Sequence, residues 1–210
     1  MNLIEYKEQG FMLYQLFSET IKNILMKNIN ECGIIFQIQN RAKDIKSLEN
    51  KLIDHCLEPI ENLDDKIFDL SGCRIIFYHN QDVKKFITSG ILEEFFDIED
   101  IRTKIFQPTK ISSPSDGEYR GIHLTVKLKQ NKLNLHEYKK FSNLFCEIQI
   151  QTILNHAWSE TEHDIIYKKT KFDGIGNRRM EEIKNRLDDV MIKHIMPAGY
   201  IVSAIEIASF

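Results

Sequence analysis

Three segments of this chain, Cys73–Tyr78, Arg120–Leu128 and Leu144–Gln151, sort their side chains onto two faces at the two-residue period of a β-strand. Each stands near a stretch of helical period, and such interleaving calls for a sheet with helices packed on it. Arg120–Leu128 and Leu144–Gln151 follow one another with no helical pattern between them. The order is therefore not a strict βαβ alternation, and a mixed sheet is expected in place of a purely parallel one. Gly33–Gln39 and Ile98–Phe106 add two further strands, five in all. Helices are expected over 3–28, 42–56, 81–95, 152–168 and 177–194, with Pro197 interrupting the last. In the first, Met12, Leu13, Leu16, Phe17, Ile21, Ile24 and Leu25 recur at intervals of three and four. Gln107–Glu118 holds two prolines, three serines and a glycine and reads as a loop. The fold class is α/β or α+β, with helices at both ends of a mixed sheet.

Composition removes several function classes. The 28 Lys and Arg nearly balance 31 Asp and Glu, for a net charge of −3, which excludes a generally basic nucleic-acid coat. No apolar run approaches the ~20 residues needed to cross a bilayer, and the N-terminus lacks a signal-peptide layout. Cys32, Cys56, Cys73 and Cys146 form no CxxC pair, so neither a zinc site nor a disulfide framework is indicated. A reduced, cytoplasmic protein with no membrane attachment is expected. Only 7 of the 28 basic residues are Arg, so each Arg in a polar cluster carries information.

Four polar clusters stand out. Lys43, Ser47 and Lys51 are spaced four apart, one stripe of a helix opposite Ile45, Leu48 and Leu52, with Arg41 just before it. Read alone, the stripe suits either a solvated face or a polyphosphate clamp. Asp69 precedes a strand on which Arg74 shares a face with Ile76 and Tyr78, where a turn carboxylate or a Mg²⁺ ligand would stand. Tyr119, Gly121 and His123 share the face opposite Ile122, Leu124, Val126 and Leu128, leaving a flat slot for a planar base; Arg120 falls on the core-side parity or at the strand's rim. Glu147, Gln149 and Gln151 line one face of a strand, and three polar groups in a row are costly to bury. On the helix that follows, Leu154, Ala157, Trp158, Thr161 and Ile165 make the packing stripe. His156, Glu160, His163 and Tyr167 lie opposite, without the spacing of an HExxH metal site.

The matching residues are Arg41-x-Lys43-x3-Ser47-x3-Lys51, Asp69-x2-Gly72-x-Arg74, Tyr119-Arg120-x2-His123, Glu147-x-Gln149 and Trp158-x3-Glu162-His163-x3-Tyr167-Lys168. In this order they resemble the synthetase domain of the RelA/SpoT family, the alarmone synthetases. The resemblance gives a synthetase core (41–168) between an N-terminal helical segment (1–40) and C-terminal helices (169–210); the apolar ending at Phe210, without a stop signal, leaves continuation into a longer chain open. It implies a nucleotidyltransferase-like mixed sheet wrapped by helices, and transfer of the β,γ-pyrophosphate of ATP to the ribose 3′-hydroxyl of GDP or GTP, releasing AMP. It further implies that Arg41 and Arg74 sandwich the adenine while Lys43, Ser47 and Lys51 hold the ATP phosphates. Asp69 and Glu147 would bind Mg²⁺, with Glu147 also a candidate base for the 3′-hydroxyl and Gln149 orienting Glu147 or the ATP. Tyr119, Arg120 and His123 would bind the acceptor. The family's upstream hydrolase domain does not fit in the 40 residues before Arg41, so synthesis without built-in degradation is expected.

Three departures fall on the acceptor side. Glu118 stands where the family usually has Gly before the Tyr, Gly121 where Ser is common, and Gln151 where Arg is frequent. They leave open a toxin of the same family that pyrophosphorylates the 3′-CCA end of tRNA. Its basic surface would draw on Lys127, Lys129, Lys132, Lys139, Lys140, Lys168, Lys169, Lys171, Arg178 and Arg179. An antitoxin, a C-terminal regulatory domain and self-association are the partners such chains admit. An inert nucleotide-sensing module, binding ATP without releasing AMP, is the alternative of another class.

Overall fold

The computed structural model describes residues 1–54, 62–99, 104–106, 121–162, 177–195 and 197–198. The chain enters its first helix through a capping box: Asn2 Oδ1 accepts from the Glu5 amide, and Glu5 Oε2 accepts from the Asn2 amide. α1 (Leu3–Glu5) passes through a π-helical turn, Tyr6–Gly10, into α2 (Phe11–Glu31). Phe17, Ile21, Leu25 and Ile29 on α2 are completely buried, but Met12 and Leu16, expected on the same stripe, are exposed. Polar groups turn the stripe. Ser18 Oγ accepts from Asn40 at 3.0 Å, Gln15 Oε1 accepts from the Ala42 amide at 2.8 Å, and the Tyr14 hydroxyl donates to Asp64. Tyr14 and Ser18 therefore take the inner face.

Six strands form one sheet: β1 (Phe36–Ala42), β2 (Ser71–Phe77), β3 (Phe96–Ile98), β4 (Lys104–Phe106), β5 (Gly121–Leu128) and β6 (Cys146–Thr152), in the order β1-β2-β6-β5-β3, with β4 also on β5. The sheet is mixed, as expected. β2 and β6 run parallel, while β1–β2, β5–β6, β3–β5 and β4–β5 are antiparallel. β3 pairs with Val126–Leu128 and β4 with Gly121–His123, so both lie on one edge of β5 and share a single place in the sheet. The single strand expected over 98–106 is thus two short ones.

Among the described residues the remaining α-helices are α3 (Ile45–Asp54), α4 (Asn80–Ile87), α5 (Ile91–Phe95), α6 (Gln130–Leu133), α7 (Ile153–Glu162) and α8 (Asn177–Val190), the last running into a π-helical turn, Met191–Ile195. One helix was expected over 81–95. It breaks at Gly90, whose φ of 80° lies in the left-handed region open to glycine. β1 begins and ends later than its apolar pattern suggests, which makes Arg41 a strand residue.

One face of the sheet carries the core. Cys73, Ile75 and Phe77 of β2, Cys146, Ile148 and Ile150 of β6, and Leu124, Val126 and Leu128 of β5 join α2's buried residues and Leu48 and Leu52 of α3 in one apolar cluster. The opposite face carries Arg41, Arg74, Glu147, Gln149 and His123, and α7 packs there. On α7 the buried residues are Asn155 and Trp158, whereas Ala157 is exposed along with Thr161. The helix is rotated from its expected stripe because the Asn155 amide caps onto Thr152 Oγ1 at 3.3 Å, which leaves His156 and Glu160 facing β2. Among the described residues no helix is long and apolar enough to cross a membrane.

Candidate active site

The sheet register assembles the site. β1 and β2 are antiparallel, so the end of β1 meets the start of β2, with Arg41 opposite Gly72. β2 and β6 are parallel, which sets Gly72 opposite Glu147 and Arg74 opposite Gln149. β5 returns antiparallel and brings His123 opposite Gln149. Polar residues from four strands thus fall in two adjacent rows. An open cleft lies over them, lined among others by Arg41, Asp69, Arg74, Glu147 and Gln149.

Asp69 closes one end. Lys43 Nζ donates to its Oδ2 at 2.6 Å and Lys51 Nζ to its Oδ1 at 2.9 Å. Lys43 comes from the turn before α3, held by its own amide on Leu70 O and by the Tyr6 hydroxyl on its carbonyl. Lys51 comes from the last turn of α3. Burial pushes the Asp69 carboxyl up, but the two ammonium groups outweigh it and hold it below the usual carboxylate range. Ser47 does not join them. Its amide and hydroxyl both donate to Asp44 Oδ1, at 3.0 and 3.2 Å, as part of the cap that starts α3.

Glu147 is held from two sides. Its Oε1 lies 3.1 Å from His123 Nδ1, and its Oε2 accepts from Gln149 Nε2 at 2.7 Å. Burial raises this carboxyl, the hydrogen bond and charge of His123 lower it, the Gln149 bond adds to the lowering, and Asp69 pushes back. The net value lies below the ordinary one. That Asp69 is felt by Glu147 places the two carboxylates in one electrostatic environment. Gln149 also reaches the other way, its Oε1 accepting from Arg74 Nε at 2.9 Å. Arg74 Nη1 donates to Glu160 Oε1 at 2.6 Å and stands 3.4 Å from His156 Nδ1. Burial and the Arg74 charge lower the His156 pKa, against the opposing pull of Glu160.

Arg41, Lys43, Lys51, Asp69, Arg74, His123, Glu147 and Gln149 are therefore brought together. Tyr119 and Arg120 lie outside the described residues, as do His163, Tyr167, Lys168, Lys169 and Lys171 and the loop expected over 107–118. The sequence marks His156 and Glu160 only as part of a polar stripe, and in the structure they grip Arg74. The flat slot expected over Gly121 is filled: a Cβ there would stand 3.2 Å from Gln151 Cγ and Nε2. Gln151 is buried, and its Oε1 has no hydrogen-bond partner among the described residues. Part of the basic run along and after β5 is neutralised, Lys127 by Glu99 at 2.8 Å and Lys132 by Glu94 at 3.5 Å.

Residues 40–172 match the model of a region found in RelA / SpoT proteins. The chain belongs to the RelA/SpoT family. It is 30% identical over 131 residues to the GTP pyrophosphokinase YwaC of Bacillus subtilis (strain 168). That match spans 62% of this chain and 57% of YwaC, little more than half the relative's length. Two crystal structures of small alarmone synthetase 1 from Bacillus subtilis share the fold. The one bound to its product pppGpp has a TM-score of 0.70 at 20% identity, covering 96% of this chain and 97% of that one. The one bound to AMPCPP has a TM-score of 0.66 at 18% identity, covering 96% and 98%.

The RelA/SpoT core reaches from the end of β1 past α7, so it contains every lining residue of the cleft except Gln39. A magnesium ion takes oxygen ligands and commonly needs only one or two carboxylates, with water and phosphate oxygens filling its remaining positions. Asp69 and Glu147, both ionised and both lining one cleft, fit that demand. Among the described residues no group of three or more His, Cys, Asp or Glu could hold a metal on its own.

Proposed function

We propose that the protein transfers the β,γ-pyrophosphate of ATP to the 3′-hydroxyl of GDP or GTP, releasing AMP. The single observation that carries this reading is the cleft that joins four cationic side chains to two ionised carboxylates. A protein kinase or hydrolase site would need cations for a triphosphate too. What favours diphosphoryl transfer is this arrangement in a RelA/SpoT chain whose relatives include a protein named a GTP pyrophosphokinase and one crystallised with pppGpp and with AMPCPP.

In this reading Arg41 and Arg74 take the donor base, since guanidinium planes stack on aromatic rings where ammonium groups do not. Lys43 and Lys51 take phosphate oxygens. The acceptor hydroxyl oxygen bonds to the β-phosphorus as the bond from that phosphorus to the α,β-bridging oxygen breaks. AMP leaves with the electron pair, and Glu147 takes the hydroxyl proton. Such transfers depend on positioning and on charge stabilisation more than on covalent chemistry. Asp69 and Glu147 would hold Mg²⁺, which when bound supplies positive charge to the transferring phosphates. His123 and Gln149 fix the carboxylate of Glu147, and Tyr119 and Arg120 are assigned to the acceptor.

The test supplies γ-labelled ATP with GDP, GTP, ATP or deacylated tRNA in turn. Label on GDP or GTP, with stoichiometric AMP, is the expected result. Label on tRNA assigns the toxin reading instead, and ATP binding without AMP assigns a sensor. Glu147→Gln should lower AMP release by at least ~100-fold while an ATP analogue still binds. Turnover close to wild type would remove Glu147 from the chemistry.

A further inference from the structure

Asp69 has no free oxygen in this structure. One carboxylate oxygen is taken by Lys43 at 2.6 Å and the other by Lys51 at 2.9 Å. A divalent cation placed on that carboxylate would face both ammonium groups within a few ångströms, in a cleft that also carries Arg41 and Arg74. In such partly buried surroundings repulsion between like charges is poorly screened. The same two lysines are the groups assigned to the donor's phosphates, and a triphosphate offers them more negative charge than one carboxylate does. Both sit on flexible four-carbon stems and need to swing, not to be rebuilt.

We infer that Lys43 and Lys51 form a latch on the metal site: they occupy Asp69 until a triphosphate draws them off, so that this carboxylate accepts a divalent cation only together with the donor nucleotide. The inference rests on the triphosphate-donor reading given above, but not on the identity of the acceptor. Two features support it. The two ammonium groups at 2.6 and 2.9 Å compensate the Asp69 carboxylate by themselves, so its charge needs no ion. Glu147, by contrast, is bonded to His123 and to a neutral amide, and among the described residues no lysine or arginine pairs with its oxygens. The two carboxylates thus differ in availability, and Asp69 is the one that must be released. Linkage makes the effect reciprocal: if the nucleotide frees Asp69 for the cation, the cation also favours the nucleotide-bound arrangement of the lysines.

The test is a binding cycle on the nucleotide-free protein with Mn²⁺ as the probe, read from the electron paramagnetic resonance signal of the free ion. If the latch holds, wild type and Asp69→Asn bind Mn²⁺ about equally weakly, because Asp69 contributes nothing while it is paired. Lys51→Gln binds about tenfold tighter, the scale of an ordinary coupling between sites, and the gain disappears in Lys51→Gln with Asp69→Asn. Removing both lysines would leave Asp69 uncompensated and endanger the fold, so the single variant at the more exposed lysine carries the measurement. Thermal melts confirm that each variant is folded, and Lys43→Gln repeats the cycle if Lys51→Gln is not. Wild type binding free Mn²⁺ tenfold tighter than Asp69→Asn would overturn the latch, as would a lysine variant with no gain. The cycle involves no turnover. A latch found in a protein that labels no acceptor would refute the proposed reaction alone, and labelled GDP with no gain in the cycle would refute the latch alone.

Discussion

Asp69 and Glu147 are the residues at which burial and charge compete most directly. Burial acts to raise both carboxyls, and in both cases cationic or hydrogen-bonding neighbours win, Lys43 and Lys51 for Asp69, His123 and Gln149 for Glu147. A carboxyl whose folded pKa is depressed binds its proton more readily in the unfolded chain. Its contribution to stability is complete above the unfolded value near 4 and is lost as pH falls through the lower folded value. The melting temperature should therefore owe no change to these groups between about pH 5 and 7, and should drop below about pH 4. Asp69→Asn removes one such group and should make the acid drop shallower, whatever it does to the melting temperature at neutral pH. An equal slope in wild type and variant, followed by circular dichroism, would show that the lysines do not hold Asp69 ionised. At this scale the sequence was most legible where a residue's role follows from parity along one strand, as for Arg74, Glu147 and Gln149. It was least legible for His156 and Glu160, whose partner Arg74 lies 82 and 86 positions away and leaves no local trace.

α7 shows what an element adds beyond its residues. It follows β6 without a loop, so it lies over the same face as Glu147 and Gln149. Its rotation then decides that His156 and Glu160, one turn apart, both reach Arg74. The guanidinium is thereby fixed by three partners from two elements: Gln149 on β6, and His156 and Glu160 on α7. Glu160 is half exposed at 52%, so its ion pair is screened and contributes less than a buried one would. Its effect belongs in orientation. Glu160→Ala should raise the KM for ATP by about two- to fivefold with kcat nearly unchanged, within the ~1 kcal/mol of an exposed pair. Steady-state kinetics at varied ATP measure it, and Glu160→Asp should recover part of the loss. A fall in kcat at constant KM would place Glu160 in the chemical step. Element boundaries were the weaker part of the sequence reading. The split of 81–95 at Gly90 and of 98–106 into β3 and β4 both depend on where the chain must turn to keep an edge on β5, which periodicity alone does not record.

Across the whole molecule the cleft and the core are the two faces of one sheet, and this ties function to packing. The mixed sheet could be inferred from the sequence because two strands follow one another without a helical pattern between them. The parallel pairing of β2 with β6 could not, since it joins Gly72 to Glu147 and Arg74 to Gln149 across most of the central chain. The expected division at residue 40 also hides a dependence. α2 supplies Phe17, Ile21 and Leu25 to the core, and its Gln15 and Ser18 hold Ala42 and Asn40 of β1, next to Arg41. Phe17 is fully buried and its ring centroid lies 5.1 Å from that of Phe141, so Phe17→Ala should destabilise by ~3–5 kcal/mol. The chain's single tryptophan, Trp158, lies on α7 over the opposite face, so its fluorescence reports the far side of the sheet. If the N-terminal helix and the synthetase core unfold as one unit, urea midpoints from Trp158 fluorescence and from circular dichroism should fall together in Phe17→Ala, with the denaturant slope unchanged. A variant that loses helical signal at low urea while Trp158 stays buried would show instead that residues 1–40 form a separable layer, and that the cleft stands without them.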